Sequence, residues 1–187
     1  MEVTIREAHA GDCAALAALA AATFPLACPP GAATEDVQAF IAENLNEQSF
    51  ARHVADPGRQ VFVAEKVVTS GTGRLLAYSM LVDAPPSDEA VASALAATPT
   101  GNTAVELSKC YALPDVHGEG VSARLMQHSL DWISRKGDRA AWLGVNSENL
   151  RAQAFYGKHG FSVAGTKTFQ LGKRVEHDFV MVRPAKN

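Results

Sequence analysis

Two short segments carry residue types whose spacing suits chemistry. The first runs Glu106-Leu-Ser-Lys-Cys-Tyr-Ala-Leu-Pro-Asp-Val-His-Gly-Glu-Gly-Val-Ser-Ala123. A β-rich stretch enters Pro114, turns through Gly118 and Gly120, and leads into an amphipathic helix. Such a turn aims consecutive backbone N–H groups at one point, and the helix dipole adds positive potential there. The ligand that fits is a phosphate or pyrophosphate. Taken alone, the turn serves equally as a plain strand–helix connection. Two phosphate motifs are excluded. A P-loop closes on Gly-Lys-Ser/Thr, where this chain has Val121-Ser122. A dinucleotide fingerprint needs a further glycine where Ala123 stands, and it belongs to a first βαβ unit. The second segment spans Leu143–Phe161. A strand ends, Asn149 opens a helix, Ala152, Phe155 and Tyr156 follow at helical spacing, and Gly160-Phe161 closes it.

Both segments need strands and helices to hold them, and the pattern supplies these in order. Val3–Arg6, Gln60–Val67, Leu75–Val82, Ala104–Leu113, Ala141–Asn146, Phe161–Gln170 and Val175–Val182 read as about seven strands. Thr69–Gly73 reads as the turn of one hairpin and Leu171-Gly172-Lys173 as the turn of another. Helices are expected at Ala14–Ala22 with Asp12 as its cap, from a Thr34 cap to about Asn44, at Glu47–Val54, at Gly120–Arg135 and at Asn149–His159. Val121, Leu125, Met126, Leu130 and Ile133 share one side of the fourth of these. Pro85–Asn102 reads as an insertion holding an alanine-rich helix around Glu89–Ala97. No repeat or linker divides the chain, so residues 1–187 read as one α/β domain with a mixed sheet.

Composition narrows the function classes. The 187 residues carry 17 Lys+Arg against 20 Asp+Glu, a net charge of −3, with 47% hydrophobic residues. Nucleic acid as main partner is disfavoured, because phosphate neutralisation needs clustered basic residues. Cys13, Cys28 and Cys110 are too few and too scattered for a disulfide framework or a zinc site. No metal is expected. Ala14–Ala22 followed by Cys28 mimics a secretory leader, but Glu2, Glu7 and Asp12 deny it a basic n-region. No apolar run reaches the roughly 20 residues of a membrane span. The expectation is a cytoplasmic protein, monomeric or homodimeric, without membrane partners.

Together the two segments resemble the GNAT superfamily of N-acetyltransferases. Its later signature, Asn-x-x-Ala-x-x-Phe-Tyr-x-x-x-Gly-Phe, matches at every fixed position from Asn149 to Phe161. Its phosphate loop, Gln/Arg-x-x-Gly-x-Gly/Ala, matches at Gly120, with His117 in place of Gln/Arg and Ser122 in place of the last residue. The resemblance implies the GNAT fold, a largely antiparallel twisted sheet with helices on both faces and a splay between the fourth and fifth strands. It implies acetyl-coenzyme A as acyl donor. Amides of Gly118, Glu119, Gly120, Val121, Ser122 and Ala123 would hold the pyrophosphate, with His117 beside the loop as a phosphate neighbour. Backbone groups of Tyr111, Ala112 and Leu113 would pair with the pantetheine arm, and Asn149, Ala152 and Phe155 would line its thiol end.

The implied reaction is direct attack of an amine on the acetyl thioester through an oxyanion. The Leu113 amide is the expected oxyanion donor, Tyr156 the acid for the leaving thiolate, and Glu106 the base working through water. Cys110 is not needed as a nucleophile. The stretch Thr23-Phe24…Glu35-Asp36…Phe40…Glu43…Phe50…His53…Asp56 is similar to PaiA-type polyamine N-acetyltransferases. Glu35, Asp36, Glu43 and Glu47 would give an acceptor wall there an acidic bias, suiting a small cationic amine. Acetylation of a protein or peptide, and a non-catalytic acyl-CoA sensor, remain open alternatives.

Overall fold

Runs of β-branched and aromatic residues form the seven strands found among the described residues, which are 2–68, 73–98, 103–137 and 139–185 of a computed structural model. They are β1 (Val3–Glu7), β2 (Arg59–Lys66), β3 (Arg74–Val82), β4 (Val105–Ala112), β5 (Ala141–Asn146), β6 (Ser162–Leu171) and β7 (Arg174–Arg183). The same residues include six α-helices: α1 (Cys13–Thr23), α2 (Thr34–Asn44), α3 (Glu47–Ala55), α4 (Glu89–Ala96), α5 (Val121–Arg135) and α6 (Leu150–Lys158). Sequence expectation and structure differ by one or two residues at most boundaries. Of the expected turn Thr69–Gly73, residues 69–72 lie outside the described residues, but the strands it joins pair antiparallel.

The strands form one sheet in the order β1-β2-β3-β4-β5-β7-β6. Every pairing is antiparallel except β4–β5. That parallel pair is short, with Val105 opposite Ala141 and Glu106 opposite Trp142. Meanwhile β4 stays on β3 as far as Ala77 opposite Ala112. The β3–β4 register slips where Met80 faces Lys109 and Leu81 faces Leu107, which leaves Ser108 as an extra residue on β4. Such a bulge bends its strand, and here β4 leaves β5 just before it. The expected splay is present.

Helices cover both faces. Leu125 and Met126 of α5 are fully buried against β1–β5, and burying each such side chain contributes about 1.5–3 kcal/mol. A buried hydrogen bond of 2.8 Å between the Ser79 and Ser129 hydroxyls fixes the register of α5 on β3. That register places the start of α5 beside the end of β4. On the other face α1, α2 and α3 pack through Leu16, Leu19, Val37, Ile41 and Phe50 onto β2 and β3.

Two expected caps are corrected. Asp12 precedes α1 without capping it. Its carboxylate instead accepts from the two terminal Arg6 guanidinium nitrogens at 2.8 and 2.9 Å and from the His9 amide at 2.8 Å. Thr34 is the first residue inside α2 rather than its cap. The Pro85–Asn102 insertion holds its expected helix as α4 (Glu89–Ala96). Asp88 caps α4, and Val91 and Leu95 are fully buried against β5 and β7. The described part of that insertion is a packed buttress rather than a cover for the cleft described below.

Candidate active site

The cofactor loop is built from backbone. Gly118 and Gly120 hold φ values of 87° and 78°, a region that side-chain-bearing residues avoid. Beyond their chain neighbours, nothing lies within 4 Å of a Cβ added at either glycine, so the surface above them is open. The first bond within α5 runs from the Arg124 amide to the Gly120 carbonyl at 3.0 Å. The amides of Val121, Ser122 and Ala123 come before it, and no side chain caps the helix. Those amides are the orphan donors of a helix N-terminus. The Glu119 amide differs, because it closes onto the Val116 carbonyl at 3.3 Å. The cradle therefore consists of the two glycines and the first turn of α5, and a pyrophosphate fits it by charge and by open space.

Strand β4 sets what the gap offers. The Leu113 amide donates to the Leu76 carbonyl of β3 at 2.9 Å, which corrects its expected role as oxyanion donor. Alternation along an antiparallel strand then turns the polar groups of Tyr111 toward β3 and those of Cys110 and Ala112 toward the gap. His117 Nε2 lies 3.1 Å from the Ala112 carbonyl oxygen, a contact made by the tautomer carrying the Nε2 proton. The added-strand pairing expected at Tyr111, Ala112 and Leu113 thus narrows to Ala112, with Cys110 beside it. The Tyr111 side chain is spent elsewhere, stacked on Tyr78 at 5.6 Å.

Across the gap, Asn149 accepts the Ala152 amide at 3.0 Å and so caps α6. That cap fixes the direction of Phe155 and Tyr156, whose rings meet edge-on at 5.5 Å. Phe161 braces Tyr156 from behind at 6.0 Å. Burial among apolar groups pushes the Tyr156 phenol well above its ordinary value of 10, with Cys110 and Tyr111 adding to the shift. Tyr156 is therefore a neutral hydroxyl at every working pH. Burial likewise pushes the Cys110 thiol up to about 12, so it carries no thiolate for nucleophilic attack.

One cleft of about 400 Å³ unites these groups with a second set. Ala112, His117, Ser122, Asn149, Ala152, Phe155 and Tyr156, from the β4–α5 segment and α6, line one end. Thr23, Phe24, Phe40, Lys167, Phe169, Glu176 and Asp178 line the other, with Glu106, Lys109 and Tyr111 of β4 between. The half-buried Glu106 carboxyl is raised above its ordinary 4.5 by burial, opposed by Lys167, Lys109 and a hydrogen bond with Ser108. Lys109 is lowered by burial, with Glu106 opposing. Lys167, three strands away in sheet order, lowers the Glu106 carboxyl through space across Gly144 of β5. A Cβ there would meet the Lys167 stem at 3.4 Å and Asp178 Oδ2 at 3.5 Å.

The acidic acceptor wall expected on α2 and α3 is corrected. Glu35, Glu43 and Glu47 are exposed, and neither they nor Asp36 lines the cleft. The cleft carboxylates come instead from β4 and β7. Sequence reasoning missed Lys167, Phe169, Glu176 and Asp178. A signal was available, since Lys167/Phe169 and Glu176/Asp178 each sit two apart on a strand and so share a face. The hairpin register sets Lys167 opposite Asp178 and Phe169 opposite Glu176. No group of three or more metal-ligating side chains occurs among the described residues. Nor, among them, is any helix long and apolar enough to cross a membrane.

Comparison with known proteins agrees with this geometry. Residues 30–161 match the acetyltransferase (GNAT) family. An uncharacterized N-acetyltransferase of Mycobacterium tuberculosis is 42% identical over 172 residues, covering 92% of this chain and 97% of the relative. The crystal structure of a PaiA N-acetyltransferase from Thermoplasma acidophilum, in complex with coenzyme A, superposes with a TM-score of 0.72. It is 18% identical and covers 98% of this chain and 99% of that one. YncA, a putative acetyltransferase from Salmonella typhimurium with acetyl-CoA, gives a TM-score of 0.64 at 21% identity, covering 100% of this chain and 96% of that one.

Proposed function

This chain belongs to the acetyltransferase (GNAT) family, and on that premise we propose that it transfers an acetyl group from acetyl-coenzyme A directly to the primary amine of a small molecule. The observation that carries the reading is the cleft that runs from His117 and Ser122, beside the open backbone cradle, to Tyr156 and Glu106. When bound, acetyl-coenzyme A supplies a thioester whose carbonyl carbon accepts the amine. Gly118, Gly120 and the first turn of α5 hold the pyrophosphate, and Ala112 aligns the arm in the gap. Asn149, Ala152 and Phe155 close around the sulfur end.

Glu106 takes the proton that the amine must lose, through a water molecule. Its raised pKa makes it a stronger base than an exposed carboxylate, and Lys167 and Lys109 limit the rise. An amide that β4 turns into the gap, that of Cys110 or Ala112, takes over the oxyanion role from Leu113. The Tyr156 hydroxyl donates a proton at the departing sulfur. In water a phenol near 10 is a poor acid toward a thiolate near 8.5, uphill by about 2 kcal/mol. In the cleft, burial raises the phenol and the departing thiolate alike, so the proton transfer depends on the difference between the two shifts.

Because the acids of α2 and α3 lie away from the cleft, the polyamine reading keeps only the likeness in fold to PaiA. The deciding experiment follows thiol release from acetyl-CoA by the full chain over a panel of small amines and lysine peptides. Turnover with small amines and none with peptides is the expected result. Coenzyme A binding without turnover on any acceptor would make the chain a sensor instead, and preference for peptides would make it a protein acetyltransferase. The cytoplasm, which holds the acyl donor, is the compartment this reading implies.

A further inference from the structure

The far end of the cleft contains an aromatic wall that the chemistry above does not use. Phe24 and Phe40 stack at 4.7 Å with an interplanar angle of 11°. Phe169 meets Phe40 edge-on at 5.4 Å and 73°. The three rings come from the turn after α1, from α2 and from β6, and all three line the cleft. Phe50 and Phe62, which serve packing alone, are sealed at 0% and 1% exposure. Phe40 and Phe169 are left half-buried and turned toward the cavity.

Cations of this chain stand near the carboxylates beside this wall. Arg174 Nε lies 3.1 Å from Glu176 Oε1, which is buried and makes no hydrogen bond. Asp178 faces Lys167 in the hairpin register, and the Lys167 stem and Asp178 Oδ2 flank the same point above Gly144. Glu106 lies within the influence of both Lys167 and Lys109. Each carboxylate that lines the cleft therefore has a cation of this chain near it, although burial still holds Glu106 and Asp178 above their ordinary values. A polyamine would bring further ammonium groups that must leave water against the three rings. A monoamine with an apolar body meets no such penalty, and its body gains by leaving water against the rings.

We propose that the acceptor subsite takes an arylalkyl monoamine, its ring against Phe40 and Phe169 and its amine directed toward the Glu106 region of the splay. The amine end of this assignment rests on the acetyltransferase reading; the ring end rests on the aromatic wall alone. The test titrates the full chain calorimetrically, free and saturated with coenzyme A, with 2-phenylethylamine, propylamine and spermidine. The expected result is 2-phenylethylamine binding about tenfold or more tightly than either of the others, the scale of discrimination that a hydrophobic pocket gives. Phe40→Ala and Phe169→Ala should each erase most of that preference while propylamine binding moves by less than about twofold. Phe169→Leu, which keeps apolar volume and removes the ring, covers the case in which the alanine variant fails to fold.

Spermidine binding as tightly as 2-phenylethylamine, or a preference unchanged in the variants, overturns the subsite. Thiol release assays on the same amines separate the two claims. Selective binding of 2-phenylethylamine without its acetylation supports the subsite and refutes the enzymatic reading. Acetylation of all monoamines at equal efficiency does the reverse.

Discussion

Where coenzyme A is proposed to bind, the groups offered to it are chiefly backbone amides of one short segment, Gly118 and Gly120–Ala123. At the acceptor end they are side chains from the turn after α1, from α2, β4, β6 and β7. The first end depends on conformation, and two glycines at positive φ with a helix start suffice to write it. The second depends on packing, and no contiguous run of residues contains it. The two ends should accordingly respond to mutation in different ways.

The largest effect is expected at the glycines. In Gly120→Val the left-handed backbone costs about 1–2 kcal/mol, a drop in Tm of about 2–8 °C for a chain of this size. Coenzyme A binding, measured by calorimetry, should fall by about 100-fold or more, because two or more charge-assisted hydrogen bonds of about 1.5–3 kcal/mol each are lost. A variant that loses stability but binds coenzyme A normally would break the contrast, since the loop would then be only a turn.

Next comes the chemistry between the two ends. Tyr156→Phe should lower kcat by about 100-fold, as for loss of a general acid, with the KM for acetyl-CoA little changed. An equal rise in KM and no loss of kcat would reduce Tyr156 to a packing residue. Because burial holds its phenol above 10, the wild-type rate should show no alkaline fall near pH 10 from this group.

Glu106→Gln should remove the acidic limb of the pH profile. A raised carboxyl pKa means that kcat/KM climbs with pH through a value above 4.5 in the wild type. The same shift fixes a stability sign. A carboxyl whose folded pKa is raised favours folding below its unfolded pKa and loses that contribution as pH rises through the folded value. Thermal melts should therefore find Glu106→Gln at least as stable as wild type at neutral pH, with the advantage gone below about pH 4.5. A variant less stable at pH 7 than at pH 4, relative to wild type, would contradict the buried-base assignment.

The smallest effect sharpens the acceptor end. The triple change Glu35→Gln, Glu43→Gln and Glu47→Gln should shift the acceptor KM by less than about twofold, since these groups are exposed and screened by solvent and salt. A tenfold rise would return the acceptor wall to α2 and α3.

Much of the molecule was legible before the fold was described. Strand alternation, the apolar stripe of α5 and the glycines at Gly118 and Gly120 follow from local periodicity and backbone sterics. The spacing from Asn149 to Phe161 works the same way, because a capped helix fixes where Ala152, Phe155 and Tyr156 point. What misled was a local signal read without its partners. Asp12 has the chemistry of a helix cap, yet Arg6 on the neighbouring strand binds it more strongly. The carboxylates of α2 and α3 lie close in sequence to Phe24 and Phe40, yet the helices turn them to solvent. The Leu113 amide lies at the right place along β4 but on its wrong edge, and strand alternation counted from a single hydrogen bond to Leu76 decides that.

The sequence by itself determined the glycine loop ahead of α5, because a left-handed turn into a helix is a local backbone conformation and glycine placement encodes it. Only the tertiary structure decided the acceptor end. There Phe24, Phe40 and Phe169 become neighbours, and Gly144 lets Lys167 lie across a strand toward Glu106. Those relations depend on sheet order and hairpin register, which arise from the packing of distant segments and leave no mark in any one stretch of chain.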